Sequence, residues 1–455
     1  MFTLHDILQA TGGSLIAGSG DASFPFSAAS IDSRTINEGE LFIPLKGTRS
    51  DGHEYIGQAL LKGAGSLTEK ELSIKMGKNK YLIKVENTLK ALQKLAHFIR
   101  MKRPGMPLVG ITGSNGKTTT KELAACVLER KFRVLKSEGN LNNQIGLPLN
   151  LARLSPEEDV AVLEMGASIP GDIKELCEIA NPTHAILTNI GQSHLEGFGS
   201  MDMLLRTKLE LADAAPMIAY NADDPLLAPA VKAYKGKILF GFGMGKGADL
   251  KAENISFKEK GSQFMLMGAG ESLQVKLNIP GSFNIYNALA AAACGILFNV
   301  PFADIARAFE SFEGVAMRYE IKELRGALFL NDVYNANPAS MQEALKELKR
   351  LRGEKGGEGR AVAVLGDMLE LGPYAEEAHR ELGRLMKKEV DVFIGVGLLM
   401  NFASEEFKSN GNISFLCGDP EEAGRALLNS LKKGDTVLIK GSRGMKMEKV
   451  LEGEG

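Results

Sequence analysis

Gly113-Ser-Asn-Gly116-Lys117-Thr118 is the stretch of this chain with the plainest chemical meaning. It follows the apolar run Leu108–Thr112 and leads into Lys-Thr-Thr-Thr-Lys-Glu-Leu-Ala-Ala, so strand, glycine turn and helix come in succession. Such a turn points successive backbone N–H groups and a helix N-terminus at anionic oxygens, and glycine lets the backbone come close. The ammonium of Lys117 offers charge to β- and γ-phosphates, and the Thr118 hydroxyl can ligate Mg²⁺. The strict phosphate-loop pattern has glycine where Ile111 stands, but the strand–turn–helix setting is intact. The pattern implies ATP or GTP; which reaction uses it must come from other residues.

Three of these are candidates. Glu164 ends the run 160-VAVLE-164 and reads equally as a capping carboxylate or as a metal ligand at a strand end. His194 lies in the polar loop after 184-HAILTNI-190; a lone histidine is more often packed or solvated than a ligand, and hard Mg²⁺ prefers oxygen. Lys208, in 201-MDMLLRTKLELAD-213, reads by itself as a solvated lysine on a helix face.

The elements that must position these residues follow from the hydrophobic pattern. From Leu108 onward, LVGIT, FRVLK, DVAVLEM, HAILTNI and MIAYN are short β-rich runs separated by helical stretches. Beyond 314-GVAMRYE-320 the alternation resumes with ALFLNDVY, RAVAVLGD, VDVFIGVG, NISFLCGD and DTVLIKGS. Both series predict mainly parallel sheets with helices on both faces. The fold class is α/β in three domains: a small N-terminal α/β domain (1–103), a central phosphate-loop domain (104–315) and a C-terminal Rossmann-like domain (316–455). The charged, proline- and glycine-bearing stretch 100-RMKRPGMP-107 reads as a linker.

Composition narrows the class. In 455 residues, 54 Lys+Arg against 56 Asp+Glu leave a net charge of −2, so no bulk field draws the chain to nucleic acid or an anionic membrane. Cys126, Cys177, Cys294 and Cys417 are widely spaced and read as reduced core thiols. The first residues show no export signal, and the longest apolar run, Ala288 to Phe298, falls short of the roughly 20 residues of a membrane span. A cytoplasmic monomer acting on small molecules is expected.

TGSNGKTTTKE, LEMGAS, TNIGQSHLEGFGS with a downstream lysine, and 281-GSFNIYNALAA-291 occur in the order seen in the Mur ligases, and the whole chain resembles that family. These enzymes use ATP to add amino acids or peptides to the UDP-linked muramic acid precursor of bacterial cell wall. The stretches 138-EGNLNNQIGLPLNL-151, 330-LNDVYNANPASM-341, 364-VLGDMLELG-372 and 437-VLIKGSRGMKME-448 resemble the member that joins D-alanyl-D-alanine to UDP-N-acetylmuramoyl-tripeptide. The member adding the third residue carries different motifs near Asp332. Folylpolyglutamate synthase lacks counterparts of 32-DSR-34 and 51-DGHEY-55.

The resemblance implies roles for individual residues. Thr112, Gly113, Ser114, Asn115, Gly116, Lys117 and Thr118 would hold ATP, with Asn284, Asn287, Arg318 and Asp332. Two Mg²⁺ ions are implied, with Thr118, Glu164, His194 and Lys208 as ligands, Lys208 as a carbamate; Lys117, Glu164, His194 and Lys208 form the catalytic set. Ser33, Arg34, Lys46 and Gly47 would bind the UDP-substrate. Asn335, Asn337, Lys440, Ser442 and Arg443, with the 366–372 loop, would meet D-alanyl-D-alanine. Phe283 stands where relatives often carry histidine, so stacking would replace a polar contact; Asn331 replaces a first aspartate and receives no role.

The implied chemistry is ligation through an acyl phosphate. A carboxylate and an amine do not condense in neutral water, so ATP must first phosphorylate the carboxylate, and the amine then displaces phosphate. Water would destroy that intermediate, so closure about junctions near 104 and 315 is expected. A nucleotide-binding module without ligation, or a kinase or ATPase, are the other classes.

Overall fold

The computed structural model describes residues 1–18, 21–48, 50–73, 76–354, 359–408 and 412–452. Among these, three α/β domains follow one another, each about its own sheet. The N-terminal sheet runs Ser14–Ala17, Tyr81–Lys84, Gly65–Thr68, Leu41–Phe42, Ala29–Ser30, with only the first pair antiparallel. Phe2–Thr3 pairs separately with Pro25–Phe26.

The central sheet is built around Leu108–Thr112, flanked by Val160–Glu164 and His184–Leu187. Val134–Lys136 closes one edge; Met217–Asn221, Ile238–Gly243 and Leu250–Lys258 continue the parallel order on the other. Leu108–Thr112 and Val160–Glu164 are buried at every position because both faces of the sheet centre are covered. Val160 and Val162 enter one core, with the alanine-rich helix Ser282–Leu297 and the phosphate-loop helix Lys117–Leu128. Ala161 and Leu163 enter the other, with Asp172–Ala180 and Met201–Ala214. Beyond Leu250–Lys258, Gly261–Gly268 and Glu271–Leu277 add an antiparallel ribbon. Its last turn is Ala269-Gly270, both left-handed (φ 51° and 80°), the two-residue geometry whose twist matches a hairpin.

The C-terminal sheet runs Glu320–Leu324, Ala327–Asp332, Thr436–Lys440, Ala361–Gly366, Val392–Val396, Ile413–Cys417, antiparallel only at the first pair. Leu328 and Leu330 face one core, Ala327 and Phe329 the other. No helix among the described residues is long and apolar enough to cross a membrane.

The 100–107 stretch is not a free linker. Arg100 belongs to the helix Thr88–Met101 and is fully buried. Its guanidinium donates to the carbonyls of Ala180 (2.9 Å), Asn181 (3.2 Å), Met106 (3.0 Å) and Arg103. Arg103 donates in turn to Ser155 O (2.8 Å) and Glu158 O (2.7 Å). Charge, proline and glycine suggested a linker, but the arginines satisfy loose carbonyls at the end of the helix Asp172–Ala180 and in the loop after Leu154. Leu92, Leu95 and Ile99 share one core with Leu147, Leu151, Ile173 and Leu176, so the first two domains pack as one body. Replacing Arg100 with methionine should lower unfolding stability by about 3 kcal/mol or more, since several buried carbonyls lose their donors. Urea unfolding checks this; a change below about 1 kcal/mol would remove the clamp from the account.

Candidate active site

Gly113 and Gly116 adopt φ 147° and 82°. A Cβ on Gly113 would lie 2.0 Å from Thr188 Oγ1, and one on Gly116 2.2 Å from Asn287 Oδ1, so both positions require glycine. The loop leans on the strand end 188–191. Ser114 N donates to Asn189 O (2.9 Å), Asn115 N to Asn189 Oδ1 (2.9 Å), and Thr188 Oγ1 to Asn115 O (2.7 Å). Ile111 is buried in the strand, and the turn begins only at Gly113.

Lys117 donates back to Gly113 O (2.9 Å) and Ser114 O (3.1 Å). Burial holds its ammonium below the ordinary lysine range, opposed by Glu164. Thr118 donates to Glu164 Oε2 (2.8 Å), whose other oxygen accepts from Asn142 (2.7 Å). Glu164 is buried and lines the cavity, so it is not a solvent-facing surface carboxylate.

Lys208 is buried too, contrary to the solvated helix face its segment suggested, with Nζ 5.6 Å from the centre of the Phe198 ring. Burial pushes its ammonium down to about 7; Lys117 acts in the same direction, and Asp172, Glu210 and Glu164 oppose it. It lies behind the cavity wall, near enough to Lys117 and Glu164 for their charges to bear on it.

Ser114 to Thr118, Asn142 and Glu164, but not Gly113 or Lys208, line a cavity of about 790 Å³ between the central and C-terminal domains. The C-terminal domain reaches it by polar contacts. Arg318 stacks on Tyr334 (3.9 Å) and donates to Thr118 Oγ1 (2.9 Å); Asn337 donates to Asn115 Oδ1 (2.8 Å). His194 Nδ1 meets Glu370 Oε2 at 2.5 Å. Phe283 packs on Tyr319 with ring centres 4.1 Å apart and planes tilted by 44°, an aromatic contact that is not a parallel stack. Lys440 donates to buried Asp332 and to Asn335 O (2.8 Å); burial weighs against both charges, and their attraction offsets it.

Not every candidate lines the cavity. Thr112 and Asn284 lie behind it, bonded to Met165 O (2.8 Å) and Pro280 O (2.6 Å). Ser442 accepts from Leu369 N (2.9 Å) and so pins the 366–372 loop, while Arg443 pairs with Glu448 (2.9 Å), away from the cavity wall. Asn331 turns to Glu320 (3.0 Å). Ser33, Arg34, Lys46 and Gly47 form a separate group beyond the C-terminal ends of the parallel strands Ala29–Ser30 and Leu41–Phe42, where open α/β sheets hold ligands. There Arg34 pairs with Asp32 (2.6 Å) and Lys46 with the largely buried Glu69 (2.5 Å). Sequence reasoning gave no role to Asn142, Asp223, Tyr286 or Tyr334, all of which line the cavity. Asp223, just past a strand end, was the most findable; it accepts from Met244 N, Gly245 N and Tyr286 OH (3.0 Å).

The patterns of three protein-family domains match in chain order: Mur ligase family, catalytic domain (25–100), Mur ligase middle domain (111–295) and Mur ligase, glutamate ligase domain (317–443). A UDP-N-acetylmuramoyl-tripeptide–D-alanyl-D-alanine ligase of Bacillus subtilis is 35% identical over 92% of this chain and 91% of its own length. The chain belongs to the Mur ligase family. This Mur ligase also superposes on a crystal structure of MurF from Acinetobacter baumannii with a TM-score of 0.88, 30% identity, and 99% and 98% of the two chains covered. A MurF ligase from Thermotoga maritima in complex with ADP gives 0.78 at 33% identity over 93% and 96%.

Proposed function

We propose that this Mur ligase joins D-alanyl-D-alanine to UDP-N-acetylmuramoyl-tripeptide through an acyl phosphate, releasing ADP and phosphate. One observation carries the reading: the phosphate loop opens into a cavity whose far wall is the C-terminal domain, so a phosphoryl donor and an incoming amine can meet there. Residues 1–103 hold the UDP end of the substrate through Ser33, Arg34, Lys46 and Gly47. Residues 104–315 hold ATP, and residues 316–455 bring the amine by way of the 366–372 loop, Asn335, Asn337 and Lys440.

In the first step the peptide carboxylate attacks the γ-phosphorus, two anions approaching each other. The loop N–H groups and Lys117 offset that repulsion, and Arg318 leaves Thr118 to meet phosphate. Thr118 and Glu164 present hydroxyl and carboxylate oxygens 2.8 Å apart on the cavity wall, a donor set that suits Mg²⁺, which would draw charge from the phosphate oxygens. Among the described residues no three His, Cys, Asp or Glu side chains converge as a metal group. A second ion, as the family resemblance implies, would be held by Glu164 and His194, and a carbamate on Lys208 would add an oxygen ligand. A buried lysine titrating near 7 presents the neutral amine that reacts with CO₂. In the second step the amine adds to the acyl carbon, phosphate leaves, and the amine sheds a proton. Four free thiols suit a reducing cytoplasm.

ATP-dependent phosphate release with UDP-muramoyl-tripeptide, with and without D-alanyl-D-alanine, tests this, with mass spectrometry of the product. Release requiring both, and a product one dipeptide heavier less water, is expected. Release requiring another amine would keep the ligase and change the step; release with neither substrate would sink the assignment.

A further inference from the structure

Glu370 and His194, with φ 64° and 51°, are two of the three non-glycine cavity residues with a left-handed backbone, Tyr319 being the third. Their side chains meet at 2.5 Å across the junction of the central and C-terminal domains. Their backbones are joined as well: Glu196 N donates to Glu370 O at 3.3 Å, and Gly372 lies against Glu196. The loop carrying Glu370 is tied at each residue before it. Asp367 accepts from Leu399 N and Met400 N, Met368 N donates to His379 Nε2 (3.0 Å), and Leu369 N donates to Ser442 Oγ (2.9 Å). Glu370 is thus delivered to the histidine by a braced support, in a conformation that the surrounding structure imposes.

Other cavity carboxylates have different work. Glu164 accepts from Thr118 and Asn142, Asp332 pairs with Lys440, and Asp224 accepts from Ile190 N and Leu227 N. Glu370 meets an imidazole, whose two nitrogens cannot both donate in the neutral ring. A carboxylate on Nδ1 makes that nitrogen the donor and leaves the lone pair on Nε2.

We propose that Glu370 is a positioning residue: by accepting the Nδ1 proton of His194 it fixes the imidazole's tautomer and orientation, so that Nε2 serves the phosphoryl-transfer cavity only when the C-terminal domain is docked. This rests on His194 acting there as proposed above. It couples domain docking to completion of the site through one hydrogen bond. Since the Glu370 side chain is 61% exposed, its replacement leaves the fold standing.

The test is ¹⁵N NMR of the full chain labelled at its six histidines, with His194 assigned by difference from His194→Gln. The wild type should show His194 protonated at Nδ1 alone. Glu370→Ala should shift it toward the Nε2–H form, and Glu370→Gln, whose carbonyl oxygen still accepts, should retain the Nδ1–H form. In parallel, ligation kcat should fall about 10–100-fold in Glu370→Ala and less in Glu370→Gln, with the KM for ATP within about threefold. A wild-type ring protonated at Nε2 or at both nitrogens, or an unchanged spectrum in Glu370→Ala, would overturn the proposal. The spectra need no substrate, so a protein that fails to ligate would discard the reaction while leaving the tautomer result readable.

Discussion

Lys117→Met will reduce ATP-dependent ligation by about 10³-fold while leaving the fold intact. The ammonium now rests on the carbonyls of Gly113 and Ser114, buried, with burial holding it below its ordinary range. It is therefore a cation waiting for an anion, and a nucleotide's phosphates provide one. Removing it leaves the transferring phosphoryl group facing the acceptor carboxylate with one full positive charge fewer, at about 1.4 kcal/mol per tenfold loss. Methionine keeps the length and apolar stem, so the helix start it occupies need not repack. Phosphate release and a thermal melt check this together. Activity within tenfold of wild type would remove Lys117 from the chemistry.

Lys208→Met carries two effects of opposite sign. Ligation should fall at least about 10²-fold, because the buried nitrogen that could carry an oxygen ligand is gone. Stability at neutral pH should rise by roughly 1–3 kcal/mol, because an apolar side chain replaces a buried charge that makes no ion pair among the described residues. The pH dependence fixes the cause. Lys208 titrates near 7 in the folded chain against an ordinary 10.5 when unfolded, so between those values the unfolded chain binds the extra proton. Wild-type stability therefore gains with rising pH across that window, and the methionine variant lacks this gain. The variant's advantage should be largest near pH 7 and shrink toward pH 10. Urea unfolding in CO₂-free buffer measures it, and intact-mass spectrometry in bicarbonate tests for one added CO₂ on the wild type. A variant less stable than wild type at pH 7 would contradict the burial argument.

What the sequence disclosed follows the reach of each signal. The parallel strands of both larger domains were legible as short apolar runs between helices, since a strand covered on both faces has no polar side. The ribbon Gly261–Leu277 was overlooked, although ESLQVKL alternates and Ala269-Gly270 is a hairpin turn; the expectation of strand–helix alternation had already absorbed that region. Arg100 was misread because a buried arginine and a solvated one look alike until the carbonyls that surround it are known. The phosphate loop was legible because its parts are adjacent. Asn142 on Glu164, Arg318 on Thr118 and Glu370 on His194 were not, because each pair joins residues far apart in the chain. The resemblance to the Mur ligases supplied what local chemistry lacked: a reason for Lys208 to be indoors.

The arginine clamp at the first junction also bears on what length of substrate is accepted. With Arg100 and Arg103 fastened to the central domain, the patch around Arg34 and Lys46 cannot drift relative to the phosphate loop. Under the proposed reaction, a molecule gripped by its nucleotide must lay its far carboxylate at a fixed span from that grip. The two domains then act as a caliper. A precursor one residue short would bind by its nucleotide and yet stop short of the phosphoryl donor, so the order of additions would be enforced by reach before any side chain is inspected.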